Sequence, residues 1–294
     1  MSIAVIIVNY NAGEWLLRSV KSAIQDEVVD QVFVVDNASE DNSLKLVEEY
    51  IASESIHSDK FRLIKKTENL GFGKANNLVL NSLLEQEKIE FALLLNPDCE
   101  LTSDVLPAML SYFEKHAELG MAGCVIRNSD DSIQSTCRRN FPTPLSAFLR
   151  MSQLQRLGFA KRHDFDLGAQ ALPDNFDTVE AISGAFMLVR MSAVKDVGVF
   201  DEAYFMHCED LDWCKRFSNK QWQVGFVPEV SVLHEKGVSS QTRRIGVLWN
   251  MHQGMILFFE KFYQDQYSFI FRVIVRMGIY LSFVMRASLS VLKR

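Results

Sequence analysis

What the 294-residue chain lacks already narrows the field. None of its five cysteines, Cys99, Cys124, Cys137, Cys208 and Cys214, forms a CxxC pair, and their number is odd. That argues against a disulfide framework or a cysteine zinc site and leaves reduced thiols of a cytosolic protein. An excess of basic residues is missing as well. The 31 Lys and Arg fall short of the 37 Asp and Glu, so the net charge is −6, the wrong sign for a nucleic-acid surface. Residues 2–8 are apolar but carry no basic leader and no cleavage site, and are too short to span a bilayer. They read as a first strand. P-loop and GxGxxG patterns, internal repeats and low-complexity tracts are all absent. What remains is ordinary globular composition, 48% hydrophobic and 23% charged, in a chain long enough for one large α/β domain or two small ones.

Residues 91–95, Phe-Ala-Leu-Leu-Leu, form an apolar run that stops at Asn96-Pro97, and a carboxylate, Asp98, follows. Such a run, bounded by a turn signal, reads as a strand buried on both faces of a parallel sheet. Pro97 offers no N–H to a ladder, so pairing ends there. Asp98 then lies just past a strand's carboxyl end, the edge where open α/β sheets bind ligands. The other reading of the fragment is a cap on the following helix. Residues 3–8, 32–35 and 61–65 read as further strands, alternating with helical patterns over 14–24, 44–51 and 78–86. This β-α-β-α-β-α-β order predicts a parallel, doubly wound sheet, with Asn9, Asp36 and Asp98 converging on one edge.

Downstream, the pattern predicts a helix over 105–116, a strand around 121–126, and a turn Ser183-Gly184-Ala185 feeding another strand. A helix over 192–197 and two strand segments, 223–228 and 230–234, follow. Between 128 and 177 the periodicity fades. The apolar and basic stretch 146–159 reads there as a lid or as an insertion facing a partner.

Glu209, Asp210 and Asp212 crowd three carboxylates into four positions. Their repulsion calls for a cation, a proton or a helix N-terminus. They read either as an acid-rich helix start or as the seat of a general base. His234 closes an apolar strand, and a lone histidine there is more often structural than a ligand. Beside Asp98, however, an imidazole with oxygen ligands suits Mg²⁺ or Mn²⁺. Gly71 and Gly73 read as part of a loop that lets backbone approach phosphates closely.

Several motifs then follow one another in order. They are Val8-Asn9-Tyr10-Asn11, Val34-Val35-Asp36-Asn37-Ala38-Ser39, Asn69-Leu70-Gly71-Phe72-Gly73-Lys74-Ala75-Asn76-Asn77 and Leu94-Leu95-Asn96-Pro97-Asp98. Ser183-Gly184-Ala185, Gly198-Val199-Phe200-Asp201, Glu209-Asp210-Leu211-Asp212, Arg216 and His234 come after them. Over roughly residues 2–240 the set resembles glycosyltransferase family 2, and within it the rhamnosyltransferase-like enzymes of bacterial O-antigen and cell-wall glycan assembly. The resemblance implies a GT-A fold, a Rossmann-like, mostly parallel sheet flanked by helices, over residues 1–245. It also implies inverting sugar transfer from a nucleotide-sugar, with Mg²⁺ or Mn²⁺ on the diphosphate.

Carried over, Asp210 is the catalytic base, and Asp98 and His234 are the metal ligands. Asp36 meets the pyrimidine base. Asn9, Gly71, Gly73, Lys74, Asn76, Asn96, Ser183 and Gly184 line the nucleotide-sugar. Asn96 stands where many relatives have an aspartate, which leaves it to the ribose or to a metal-bound water. The implied donor is dTDP-L-rhamnose and the implied acceptor a lipid-linked saccharide. The alternatives are a UDP-sugar-dependent hexosyl- or galactofuranosyltransferase and a non-catalytic scaffold that binds nucleotide-sugars. A nucleotidyltransferase would need a glycine-rich, lysine-bearing loop after Val8, and none is there.

Residues 246–294 read as a separate helical region. From Gln266 onward there is no acid, while Arg272, Arg276, Arg286, Lys293 and Arg294 fall within an arc of roughly 100° on a helix. The uncharged stretch 277–285 is too short to cross a bilayer. The expectation is an amphipathic tail lying on the inner face of the cell membrane and drawn to anionic lipid, making the protein cytoplasmic and peripheral. Packing on the domain or in a homodimer is the competing expectation.

Overall fold

The computed structural model describes residues 1–146, 166–167, 170–235 and 244–292. Most of the 146–159 stretch, the loop at 237–240, and Lys293 and Arg294 lie outside the described residues.

The first half is built from β1 (Ile3–Asn9), α1 (Glu14–Gln25), β2 (Gln31–Asp36), α2 (Ser43–Ser53), β3 (Phe61–Lys65), α3 (Phe72–Gln86) and β4 (Phe91–Leu95). Next come β5 (Cys99–Glu100), α4 (Val105–Lys115), β6 (Leu119–Arg127), β7 (Arg138–Arg139), β8 (Asp177–Thr178), β9 (Ala181–Ile182) and β10 (Phe186–Arg190). The chain continues with α5 (Met191–Val197), α6 (Glu209–Asn219), β11 (Gln223–His234), α7 (Arg244–Tyr263) and α8 (Phe269–Leu292). The main sheet has the order β3-β2-β1-β4-β10-β6-β11-β5, with β8 added on β11. β3, β2, β1 and β4 pair in parallel. β10 runs antiparallel to both its neighbours, β11 is parallel to β6, and β5 is antiparallel to β11.

Alternation along each strand splits the core in two. Ile3, Val5 and Ile7 pack with Leu16 of α1 and Met109 of α4. Ala4, Ile6 and Val8 pack with Val79 of α3, Val194 of α5 and Trp213 of α6 on the other face. The doubly wound sheet expected from the strand-helix order is therefore present, and its carboxyl edge gathers Asn9, Asp36, Asn96 and His234. The amino end of the reversed strand β10 meets the same edge, which brings in Ser183 and Gly184.

Two local expectations are corrected. Residues 72–77 are not loop, because α3 starts at Phe72 and runs through Gly73, Lys74, Asn76 and Asn77. The glycines that suggested a loop are there for close packing: a Cβ on Gly71 would lie 2.2 Å from the Phe205 carbonyl oxygen, and one on Gly73 3.1 Å from Phe200 Cβ. The final strand is one element, not two. Pro228 falls in the register shift between Val227 and Ser231, where the missing N–H costs no ladder bond.

α7 and α8 fold back on each other. The Trp249 and Phe283 rings stack edge to face 5.2 Å apart, and His252 Nε2 lies 3.3 Å from Ser282 Oγ. The basic arc lies on the side of α8 that carries its contacts with α7, although Arg276 and Arg286 stay exposed there. Arg272, Arg276 and Arg286 share their side of α8 with the buried Ile279, and Arg276 pairs with Glu260 of α7. The opposite side, including Ile270, Ile274, Met277, Leu281 and Val284, is apolar, and each of these residues is more than half exposed. Among the described residues, no helix is long and apolar enough to cross a membrane.

α7 itself belongs to the core through Phe258. It is also clamped by charge. Lys261 Nζ lies 2.6 Å from Asp212 Oδ2 and 2.6 Å from Asp201 Oδ2, while Arg216 Nε donates to Asp212 Oδ1 at 2.7 Å. Asp212 is fully buried, so deleting it would leave Arg216 without its carboxylate and Lys261 with Asp201 alone. Asp212→Ala is expected to cost about 3–5 kcal/mol in chemical denaturation, and Lys261→Met less, since Arg216 remains. An Asp212→Ala variant within about 0.5 kcal/mol of wild type would remove the clamp from this account.

Candidate active site

The carboxyl edge of the sheet carries three groups of polar side chains. The first lies at β1 and β2, whose parallel register sets Asn9 opposite Asp36. Asn9 Nδ2 donates to Asp36 Oδ1 at 2.8 Å, to Ser39 Oγ at 3.0 Å and to Ser43 Oγ at 2.9 Å. Asp36 Oδ2 accepts the Ser39 N–H at 3.1 Å. Asn37 ties this corner to the next loop by donating to the Gly71 carbonyl at 3.1 Å. Gly71 has φ +82° and no room for a Cβ, so only glycine fits there. Asn76 is buried on α3 and donates to the Phe72 carbonyl at 3.0 Å, whereas Lys74 is exposed one turn from Gly71.

The second group forms where β5 pairs with β11. Asn96 to Cys99 make a tight turn closed by the Cys99 N–H on the Asn96 carbonyl at 3.1 Å. The next helix starts only at Val105, so Asp98 caps nothing. Register sets His234 opposite Cys99, and this brings His234 Nε2 to 3.1 Å from Asp98 Oδ1. Both groups are more than nine-tenths buried. Asn96 Nδ2 approaches the same ring nitrogen at 3.3 Å, and Gln134 Oε1 lies 3.1 Å from Nδ1.

The donor atoms of Asp98, Cys99 and His234 lie within 4.8 Å of one another. Cys99 is unsuited to a hard ion. Burial, and then the Asp98 charge, push its thiol well above the usual range, and Sγ points at the Ala185 carbonyl at 3.4 Å. An imidazole nitrogen and a carboxylate oxygen 3.1 Å apart can share a proton as an ordinary hydrogen bond, and the same two atoms are close enough to ligate one metal ion. One carboxylate and one imidazole, with remaining positions left to water and phosphate oxygens, fit Mg²⁺ or Mn²⁺.

The third group gathers around Asp210 on the first turn of α6. The approach is strained: His207 and Cys208 both adopt left-handed φ, +68° and +69°, a conformation costing about 1–3 kcal/mol per non-glycine residue. Packing holds it there. The Phe72 N–H donates to the Phe205 carbonyl at 3.1 Å, and Gly254 of α7 lies so close that a Cβ would be 2.5 Å from the His207 carbonyl. Asp210 Oδ2 accepts from Arg139 Nη2 and from the Gly184 N–H at 3.2 Å, while Oδ1 accepts the Leu211 N–H at 2.8 Å. Arg139 is placed by the pairing of β7 with β9 and also donates to the Ile182 carbonyl at 2.5 Å.

The three neighbouring carboxylates thus differ in kind. Asp212 is consumed by Arg216 and Lys261. Glu209 is buried, and its Oε2 has no hydrogen-bond partner among the described residues. Burial, and then the Asp210 charge, raise the Glu209 carboxyl well above its ordinary value of 4.5, so it keeps its proton near neutrality. Asp210 alone is both oriented by hydrogen bonds and partly exposed.

Sequence reasoning missed Arg139 and Gln134. Both lie where the periodic signal fades, and nothing in their neighbours' spacing marks them.

A family model described as Glycosyl transferase family 2 matches residues 4–198, ending before Asp210 and His234. The chain is 27% identical over 299 residues to N-acetylglucosaminyl-diphospho-decaprenol L-rhamnosyltransferase of Mycobacterium tuberculosis, covering 98% of this chain and 92% of that one. It is 26% identical over 236 residues to rhamnosyltransferase WbbL of Escherichia coli K12, covering 78% and 82%. The solved structure of mannosyltransferase PcManGT from Pyrobaculum calidifontis, in complex with GDP-Man and Mn²⁺, superposes with a TM-score of 0.58 at 16% identity, over 95% of this chain and 69% of that one. That last likeness is one of fold.

Glu209 makes a pH signature. The native state holds a proton that the unfolded chain releases above about pH 4.5, so this group's contribution to stability falls as pH rises through that range toward neutrality. Denaturation midpoints measured from about pH 5 to about pH 8 are expected to decline less in Glu209→Gln than in wild type. Parallel curves would place the proton elsewhere.

Proposed function

The chain belongs to glycosyl transferase family 2, and we propose that it transfers a sugar with inversion from a nucleotide-sugar to a lipid-linked glycan acceptor, with L-rhamnose from dTDP-L-rhamnose as the donor. It is a glycosyltransferase with the GT-A arrangement of sheet and helices. The donor and acceptor rest on the two rhamnosyltransferase relatives. The observation that carries the chemistry is Asp210, held by Arg139 and the Gly184 N–H at the edge where Asp98 and His234 also meet.

In this reading the Asn9–Asp36 corner receives the pyrimidine nucleotide. Gly71, Gly73, Lys74, Asn76 and Asn96 line it, and Ser183 and Gly184 border the sugar. Asp98 and His234 hold the Mg²⁺ or Mn²⁺, which when bound neutralises charge on the leaving diphosphate. Asp210 takes the proton from an acceptor hydroxyl while the hydroxyl oxygen bonds to the anomeric carbon. The carbon–phosphate oxygen bond breaks in the same step, its electron pair going to the diphosphate, and no covalent enzyme intermediate forms. Arg139 keeps the Asp210 carboxylate from rotating out of line.

Asp210→Asn keeps the shape and removes the proton acceptor, so the transfer rate is expected to fall roughly 10²–10⁴-fold, with donor affinity little changed. Turnover on dTDP-rhamnose and UDP-sugars, with and without Mn²⁺, checks both the base and the donor. A near-wild-type Asp210→Asn would sink the assignment.

We further propose that the exposed apolar side of α8 lies in the membrane interface on the cytoplasmic side, where a lipid-linked acceptor would be found. A wide apolar face, with Ile270, Ile274, Met277, Leu281 and Val284 each more than half exposed, suits burial among acyl chains at the interface. Ile274→Glu with Leu281→Glu is expected to reduce co-sedimentation with anionic vesicles by roughly a hundredfold. Unchanged vesicle binding, with a dimer-to-monomer shift in size-exclusion chromatography, would assign this face to a second copy of the chain.

A further inference from the structure

A directed chain of hydrogen bonds runs from a surface carboxylate to the ring of His234. We propose that Gln134, oriented by Asn128, Ser132 and Asp130, is a positioning residue that fixes the His234 tautomer and so presents Nε2 as the metal-ligating atom. The inference rests on the reading of Asp98 and His234 as the metal pair.

Each link follows from what the previous group is able to donate. The Asp130 carboxylate only accepts, and its Oδ1 lies 2.5 Å from Ser132 Oγ and 3.1 Å from the Ser132 N–H. Hydrogen bonds from Ser132 hold the Asp130 carboxyl below its usual range. Ser132 therefore spends its hydroxyl proton on Asp130, and its oxygen accepts from Asn128 Nδ2 at 2.8 Å. That turns the Asn128 amide so that Oδ1 accepts from Gln134 Nε2 at 2.9 Å. The other proton of Gln134 Nε2 goes to the His234 backbone carbonyl, also at 2.9 Å. Both donors of the Gln134 amide are now used, so Oε1 is the atom that faces His234 Nδ1 at 3.1 Å.

Only an N–H at Nδ1 makes a bond across that gap. The neutral imidazole that ligates a metal has one N–H, so with that N–H on Nδ1 its lone pair is on Nε2, the nitrogen beside Asp98 Oδ1 and within reach of Asn96 Nδ2. Flipping the Gln134 amide would set its oxygen against Asn128 Oδ1 and against the His234 carbonyl, each 2.9 Å away. Metal-bound histidines commonly donate their other N–H to an acceptor that fixes ring and tautomer. Here the acceptor is a neutral amide, and the charge that sets its direction is three side chains away, on the turn after β6. The turn is itself tied by the Asn128 N–H on the Ser132 carbonyl at 2.9 Å. Gln134 is buried, so the last links of the chain are shielded from water.

The test uses the full chain and Mn²⁺ alone, with bound metal read by electron paramagnetic resonance. Tautomers are read from the imidazole ¹⁵N shifts of His234, assigned by difference with His234→Gln. Wild type is expected to carry its proton on Nδ1. Gln134→Met, similar in length but without an acceptor, is expected to show mixed tautomers and about 10–100-fold weaker Mn²⁺ binding. Gln134→Glu retains an acceptor facing Nδ1 but sets an oxygen against the His234 carbonyl, so it is expected to preserve the tautomer and to bind Mn²⁺ more tightly than Gln134→Met but more weakly than wild type. Ser132→Ala should move both readouts the same way by less. A wild-type ring protonated on Nε2, or a folded Gln134→Met that binds Mn²⁺ as wild type does, would overturn this inference alone. No Mn²⁺ binding by wild type would overturn the metal reading and, with it, the ligand role assigned to Nε2.

Discussion

The site depends on one short pairing, that of the two-residue strand β5 with the end of β11. Asp98 comes from the turn that ends a central strand, and His234 from the last strand of the sheet. They meet because Cys99 and His234 are register partners. The irregularity at Pro228 lets β11 leave its first register with β6 and resume pairing from Ser231. A shift of one residue would turn His234 to the other face of the sheet and leave Asp98 buried without its imidazole.

Charge distribution settles the next level. Three carboxylates within four positions of α6 share three cations, and the sharing is uneven. Arg216 and Lys261 go to Asp212, which serves the fold. Arg139 goes to Asp210. Glu209 receives none and stays protonated, so it adds no second negative charge beside the proposed base. Neighbouring acids in one helical turn thereby take three different parts, decided by what surrounds each of them rather than by residue type.

Much of this was legible in the chain. Apolar runs that end in polar residues revealed β1, β2 and β4 and the edge on which Asn9, Asp36 and Asp98 converge, since burial on both faces leaves an uninterrupted pattern. The start of α3 was not legible, because glycines needed for contact with Phe200 and Phe205 look the same as glycines needed for a loop. The basic arc of α8 was visible, but the side it turns to was not. Periodicity reports that a helix has two faces, and tertiary contacts such as those of Ile279 and Arg276 decide which one is covered. Arg139 and Gln134 were silent because both act through bonds to distant segments.

α7 has a further consequence. Its Gly254 presses on the His207 carbonyl, its Lys261 clamps Asp212, and its Phe258 fills the core beside α6, while the helix it carries exposes a broad apolar surface. The part of the molecule that would make it hard to keep in aqueous solution is thus continuous with the part that braces the strained turn before Asp210. Trimming the chain before residue 244 to obtain a better-behaved protein would uncover that turn and free its two left-handed residues to relax. Shielding α8 with detergent or lipid, or recolouring its outer face with polar residues while α7 stays whole, is the route that keeps that turn braced.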